Sequence, residues 1–353
     1  MVRFKKGNNY MVVYSKAKIV YKDINIEVFL NQNKLIFCDC NQKRNVKLPI
    51  NALLKPFLGI KLIRRLFRID IRCFERIDNN YYFFFKNKLY TIIDDQQSLK
   101  LKCLQQFDMS SPLYFTKCDD KKTILFGDYT NDDKSKKVNI YRISDSKITI
   151  CFSFGSGIIK HIHNIVPSYN NGRYWILTGD SDAESAIWEL DHNNNLSLFL
   201  GPSQIYRSCF LCESDDKLYY LTDSPIVDNF ICIIDKKTKQ TVNTIPIAGP
   251  CIFATLRGKN IYFSTSVEPN PDKKQIFNNY RKSNSIKDRF VHIYRFNLEK
   301  EELEELSLIK KDFHNMKYFG FGNAQLFVDN NDIFITPIGV KKYSYKTLKI
   351  HYE

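Results

Sequence analysis

Ile124-Leu125-Phe126-Gly127-Asp128, Tyr174-Trp175-Ile176-Leu177-Thr178-Gly179-Asp180 and Leu218-Tyr219-Tyr220-Leu221-Thr222-Asp223 are three copies of one pattern, an apolar strand ending on a carboxylate. Ile261-Tyr262-Phe263-Ser264-Thr265 is a fourth copy without the Asp. Each is followed by a polar loop and a second apolar strand: Val138-Asn139-Ile140-Tyr141, Ala186-Ile187-Trp188, Ile231-Cys232-Ile233-Ile234 and Val291-His292-Ile293-Tyr294. The turns after these strands carry Asp145, Asp191, Asp235 and Asn297, and the three Asp follow one another at intervals of 46 and 44 residues. A period of that size built only of strands is the signature of a propeller blade.

Working outward, strands run from residue 10 to 50 and from 69 to the C-terminus, dividing into segments 69–107, 111–152, 158–200, 206–246, 250–311 and 317–353. The chain therefore reads as all-β, one β-propeller domain over residues 1–353, with seven blades favoured. Six would follow if the N-terminal strands only completed the last blade. One basic amphipathic helix is expected over residues 51–68. There Leu53, Leu54, Phe57, Leu58, Leu62, Ile63, Leu66 and Phe67 recur at helical spacing, with Lys55, Lys61, Arg64, Arg65 and Arg68 opposite. Its apolar stripe is expected to cover the sheets and its basic face to meet water. Contact of this helix with an anionic membrane surface is the other reading. The fifth segment carries an insertion, Pro269 to Arg289, read as a loop over one face, and Lys300 to Leu306 reads as a helical turn or an outer strand.

Composition agrees. Of 353 residues 44% are apolar, with 27 Phe and 21 Tyr, which suits stacked sheets. The net charge is +15, but the lysines are spread along the chain rather than blocked, and no nucleic-acid-binding motif is present, so no nucleic-acid partner is expected. No stretch reaches the length of a membrane span, and no signal peptide is recognised. Ten scattered cysteines read as reduced core thiols, Cys209 and Cys212 included, and the expected location is cytoplasmic.

In a propeller the segment leading into each innermost strand and the loop between its second and third strands share one face. That rule gathers His161 and His163, the carboxylates Asp180, Asp182 and Glu184, Tyr206 and Arg207, Asp128 and Tyr129, Asp223 and Glu268 around one mouth. His161, His163, Asp180, Asp182, Glu184 and Arg207 are the candidate catalytic set. Asp128, Tyr129, Tyr206, Asp223 and Glu268 are candidate substrate-binding groups. The set suffices for glycoside hydrolysis, or for uronate β-elimination with a histidine as base and Arg207 on the substrate carboxylate. Each member also has a structural reading: axial histidines bonded to backbone, Asp residues capping their loops, Arg207 in an internal ion pair. An alternating His pair also suits a metal, but no further His falls nearby in sequence, and neither a metal nor another cofactor is expected.

The same residues resemble the sialidase-like, BNR-repeat or glycosyl-hydrolase-like β-propeller proteins associated with bacterial surface-polysaccharide loci. The resemblance spans roughly Ser111 to Pro269 and is carried by Phe126-Gly127-Asp128-Tyr129, Ile159-Lys160-His161-Ile162-His163, Thr178 to Ser185, Tyr206-Arg207, Thr222-Asp223-Ser224-Pro225 and Ser266-Val267-Glu268-Pro269. Asp128 stands where that family would carry Glu, and the arginine triad and complete Asp-box of sialidases proper are missing. The resemblance implies a carbohydrate-active propeller acting on a polysaccharide or oligosaccharide, acidic in one version, as a glycoside hydrolase or polysaccharide lyase. The alternative is a non-catalytic propeller that binds glycan or protein in surface-polysaccharide assembly.

Overall fold

The structure, a computed structural model, describes residues 10–40, 42–95, 97–130, 135–169, 172–270, 280–329 and 332–351. Seven four-stranded antiparallel sheets follow one another. Blade 1 spans residues 18–47, blade 2 74–106, blade 3 116–154, blade 4 161–200, blade 5 208–247 and blade 6 251–310. Blade 7 takes three strands from residues 323–351 and its fourth from Tyr10–Ser15, which pairs antiparallel with Thr347–His351. The seven-bladed reading thus holds, and the N-terminal strands do both jobs: the first completes the last blade and the next four form a blade of their own. Lys300 to Leu306 belongs to an outer strand, Glu302–Lys310. Part of the 269–289 insertion, and Asn170 and Asn171, lie outside the described residues.

Near-continuous apolar runs in the inner strands, such as Tyr81 to Phe85 and Leu218 to Leu221, make those strands apolar on both faces, so the core is a ring of sandwiches between neighbouring blades. Tyr81, Phe83 and Phe85 of blade 2 meet Leu35 and Phe37 of blade 1. Tyr219, Ile231 and Ile233 of blade 5 meet Phe263 and Phe296 of blade 6. The seam between blades 7 and 1 is thinner and relies on hydrogen bonds. Thr347 Oγ1 donates to the Ala17 carbonyl at 2.7 Å and accepts from the Ile19 amide at 2.9 Å. The expected turn residues serve as such: Asp191, Asp235 and Asn297 each accept backbone amides of the turn that follows.

The segment 51–68 differs from the expected single helix. Asn51 caps a 3-10 turn, Ala52–Phe57, and after a short bend a separate helix, Lys61–Leu66, follows. The inward positions match the expected stripe only in part: Leu58 is buried, Leu54 packs against the same core, and Lys55, Lys61 and Arg68 are exposed. Arg64 and Arg65 are buried, while Leu53, Phe57, Ile60, Leu66 and Phe67 are exposed. The cause is a polar demand. Arg65 donates to the carbonyls of Phe319 and Gly320 beside the short helix Met316–Phe319 and pairs with Asp312. Arg64 lies over the Tyr345 ring, 4.3 Å from its centroid. Among the described residues no helix is long and apolar enough to cross a membrane.

Four innermost strands share an irregularity. The pairing skips one residue at Val20 in blade 1, His163 in blade 4, Cys209 in blade 5 and Ile252 in blade 6. Such bulges re-aim side chains beside functional sites. Two residues before the skipped one stand Lys18, His161 and Arg207 in blades 1, 4 and 5, so equivalent positions of three blades present basic side chains near the axis.

Candidate functional site

A funnel of about 670 Å³ opens on the face that carries the blade-to-blade connections. Its charged lining consists of Lys18, Arg65, Arg68, Arg72, Lys86 and Arg207 against Asp70, Asp223 and Glu268. Several cations are already engaged: Lys18 with Asp70 at 2.6 Å, and Arg65 with Asp312. The Arg72 carbonyl accepts from Gln325 at 2.9 Å, while its guanidinium has no hydrogen-bond or salt-bridge partner among the described residues. Tyr129, Phe253, Phe319, Phe321 and Tyr345 supply aromatic walls.

Arg207 is the hub at one side. Its Nη2 lies 3.0 Å from Asp180 Oδ1 and its Nη1 donates to the Asp180 carbonyl at 3.2 Å. Its Nε lies 3.8 Å from Asp223 Oδ2 and has no hydrogen-bond acceptor, and Asp223 Oδ1 has no donor. Both atoms are buried in residues that line the funnel, and neither has a partner within hydrogen-bond reach. Burial raises Asp223 well above the ordinary carboxylate value, against the pull of Arg207. Burial also raises Glu268, again opposed by Arg207 and by the hydroxyl of Ser266, which donates at 2.7 Å. The two carboxyls repel each other electrostatically, so they resist joint ionisation.

The histidines sit behind this wall rather than in it. Both are buried, and Tyr129 stacks on His161 with ring centroids 4.3 Å apart. His161 Nδ1 lies 3.0 Å from the Thr130 carbonyl, and His163 Nδ1 lies 3.0 Å from the Ser208 carbonyl. Their Nε2 atoms face each other at 3.1 Å, with Asp180 Oδ1 at 3.4 and 3.6 Å. Burial pushes His163 down to about 4. Burial works to raise Asp180, and the Arg207 guanidinium 3.0 Å away works to lower it. Gly179 makes this packing feasible, because a Cβ there would lie 2.7 Å from His163 Cε1.

The remaining expected site residues hold the frame. Asp182 accepts from the Gln204 amide at 2.8 Å. Glu184 is buried and accepts from the Lys160 amide and the Ser181 hydroxyl at 2.8 and 2.6 Å. Asp128 accepts from the Asn139 amide at 2.7 Å and closes its own loop. Tyr206 packs into the core between blades 4 and 5. So the structure brings His161, His163, Asp180 and Arg207 together, places Tyr129, Asp223 and Glu268 on the funnel, and assigns Asp128, Asp182, Glu184 and Tyr206 to loops and core. The sequence reading passed over Lys18 and Arg72. The signal for Lys18 was its register match to Arg207.

The mouth also explains why some strand-end carboxylates are free. The hydroxyls of Thr222 and Thr265 accept the amides of Phe230 and His292, closing the loops of blades 5 and 6. In blade 4 Thr178 donates to the Glu184 carbonyl at 2.6 Å. With Thr closing the loop, Asp180 and Asp223 are released toward the axis. Blade 3 has Gly127 at the strand end, and there Asp128 closes the loop.

No family model matches the chain, and no curated protein matches it. Among solved structures, the WD40 propeller domain of Doa1 is similar at 9% identity with a TM-score of 0.57, covering 98% of each chain. A functionally unknown protein from Desulfotomaculum acetoxidans is similar at 13% identity and a TM-score of 0.51, covering 93% of this chain and all of its own. The tricorn protease is similar at 10% identity and a TM-score of 0.53, over 99% of this chain and 36% of its own. At these identities the likeness shows the propeller fold.

Proposed function

We propose that the funnel binds an acidic saccharide and that the chain is a carbohydrate-active propeller, with glycoside hydrolysis as its reaction. The observation that carries this reading is the cation-rich funnel around two mutually repelling carboxyls, buried Asp223 and half-buried Glu268. Two carboxyls that resist joint ionisation leave one protonated, which is what acid–base cleavage of a glycosidic bond needs. Asp223, the more deeply buried, would donate the proton to the leaving oxygen. Glu268 would act as base or nucleophile. Arg72 and Arg207, both lining the funnel, would hold the substrate's carboxylate. The elimination reading is less favoured, because both imidazoles lie behind Tyr129.

The test is digestion of a panel of acidic and neutral bacterial polysaccharides, followed by reducing ends and by the ultraviolet absorbance of unsaturated uronates. Reducing ends without that absorbance, abolished by Asp223→Asn, support hydrolysis. New absorbance shifts the reading to a lyase. Binding without cleavage shifts it to a non-catalytic glycan-binding propeller.

A second reading concerns the surface beside the funnel. Leu53, Phe57, Leu66, Phe67 and Phe313 are exposed among Lys55, Lys61, Arg68 and Lys317, and no carboxylate occurs between Asp39 and Asp70. This combination supports peripheral docking of the funnel face on an anionic bilayer. Co-sedimentation with phosphatidylserine vesicles, lost on phosphatidylcholine alone and weakened by Phe57→Ser, is the expected result.

A further inference from the structure

We propose that His161, His163 and Asp180 form a binding site for a divalent transition-metal ion with zinc-like ligand preferences. The proposal stands apart from the saccharide reading and needs no substrate.

The argument begins with where the protons are. Backbone carbonyls only accept hydrogen bonds, and each Nδ1 lies 3.0 Å from one: His161 from Thr130, His163 from Ser208. Both Nδ1 atoms therefore carry the proton in the neutral rings, and both Nε2 atoms keep their lone pairs. Those lone pairs meet at 3.1 Å inside the protein, with a carboxylate oxygen beside them. Three electron-rich atoms converging in a buried space repel one another unless a cation lies among them.

The spacing fits a metal. Tetrahedral zinc with bonds of about 2.0–2.1 Å separates its ligand atoms by about 3.3 Å. The three separations here are 3.1, 3.4 and 3.6 Å. The surroundings fit as well. Ligating imidazoles characteristically donate their other N–H to a carbonyl or carboxylate, as both rings do here, and ligating carboxylates are hydrogen-bonded in turn. Here Asp180 has an ion-pair contact instead, its Oδ1 3.0 Å from Arg207 Nη2. The imidazoles are 2% and 1% exposed and the Asp180 side chain 40%, so the open side of the site lies at the carboxylate, where water or a ligand would take a fourth position.

Two neighbouring clusters lack this arrangement. His163, Cys209 and Asp223 also converge, but burial holds the Cys209 thiol protonated and it donates to Asp223 at 3.2 Å. His292 spends its two nitrogens on separate carboxylates, Glu305 and Asp288, at opposite ends of the ring.

The test is titration of chelator-treated full-length protein with Co²⁺, followed by visible absorbance, and with Zn²⁺, followed by calorimetry. The expected result is one ion per chain, a tetrahedral or five-coordinate cobalt spectrum without a sulfur-to-cobalt charge-transfer band, and a higher melting temperature on loading. His161→Gln and Asp180→Asn should each weaken binding by more than about tenfold. Asp180→Asn preserves the shape of the side chain, so it remains informative if the histidine variant does not fold. Absence of stoichiometric binding to the wild type overturns the proposal. So does binding that both variants leave unchanged, or a thiolate band showing that the cysteines hold the ion. A metal-free protein whose ¹⁵N spectra show one proton shared between the rings, with no metal uptake, also overturns it.

Discussion

Gly179→Ala tests whether the geometry around His163 is as tight as the structure has it. The new Cβ would lie 2.7 Å from His163 Cε1, 3.1 Å from Arg207 Cγ and 3.3 Å from His163 Nε2. Ordinary carbon contacts are about 3.5–4.0 Å, so the imidazole must withdraw by about 1 Å. It has little room, because its Nδ1 is tied to the Ser208 carbonyl and its other edge faces His161. Gly179 lies in a strand and does not have a positive φ, so alanine adds no backbone strain. Overpacking of this kind costs about 1–3 kcal/mol. Alanine returns about 0.4–1 kcal/mol by restricting the unfolded chain. The expected net loss is about 1–2 kcal/mol, read from the midpoint of urea unfolding, with Co²⁺ affinity falling in parallel. Gly155→Ala is the matched control, since its nearest contact is the terminal carbon of Ile158 at 3.4 Å, and it should stay within about 0.5 kcal/mol of wild type. A Gly179→Ala protein as stable as that control, with unchanged Co²⁺ affinity, would refute the reasoning.

Thr347→Val keeps the shape of the side chain at the closing seam but leaves the Ile19 amide without its acceptor; urea unfolding should show a loss of about 1–3 kcal/mol, and a loss below the measurement error would mean the seam does not depend on that hydroxyl. Arg65→Met removes the charge facing the buried Asp312, which keeps Lys311; a loss of about 3 kcal/mol is expected, and an equally stable variant would show that the cation serves no structural purpose. Asp223→Asn should alter the pH dependence of stability. The folded-state value of Asp223 is raised above its unfolded value of about 3.9, so the folded protein holds this proton more tightly than the unfolded chain. The stabilisation from that proton is complete below about pH 4 and is lost as pH rises through the folded-state value. The variant should therefore gain stability relative to wild type as pH rises above about 4, at a slope no steeper than about 1.4 kcal/mol per pH unit; equal pH profiles for the two proteins would contradict the raised value.

The blades were legible because their signal is local. Alternating apolar strands, a regular period and Asx turns at Asp191 and Asp235 are set by residues within a few positions of one another. The segment 51–68 was misread for the opposite reason. Its periodicity suggested an apolar stripe facing inward, but the carbonyls of Phe319 and Gly320 and the carboxylate of Asp312 lie some 250 residues away in sequence, and they draw Arg65 inside. No window over residues 51–68 contains that demand.

The mouth shows the same division more finely. Alternation along the innermost strand placed His161 and His163 together, although His163 is itself the bulged residue and it is the backbone carbonyls of other blades that orient their rings. The carboxylates were harder to rank, since Asp128, Asp180 and Asp223 all end a second strand. What separates them is a threonine near the strand end, directly before Asp223 and two residues before Asp180. Thr178 and Thr222 hold their loops shut with a hydroxyl, so the Asp beyond has no loop to close and turns toward Arg207. Blade 3 has Phe126 and Gly127 at these places, neither with a hydroxyl, so Asp128 closes the loop itself. Replacing Gly127 by Thr would not restore the arrangement, because Ile162 occupies the space a Cβ would need, 2.4 Å away. The glycine that admits Ile162 also commits Asp128 to structure, and blades 4 and 5 are left to supply the chemistry at the axis.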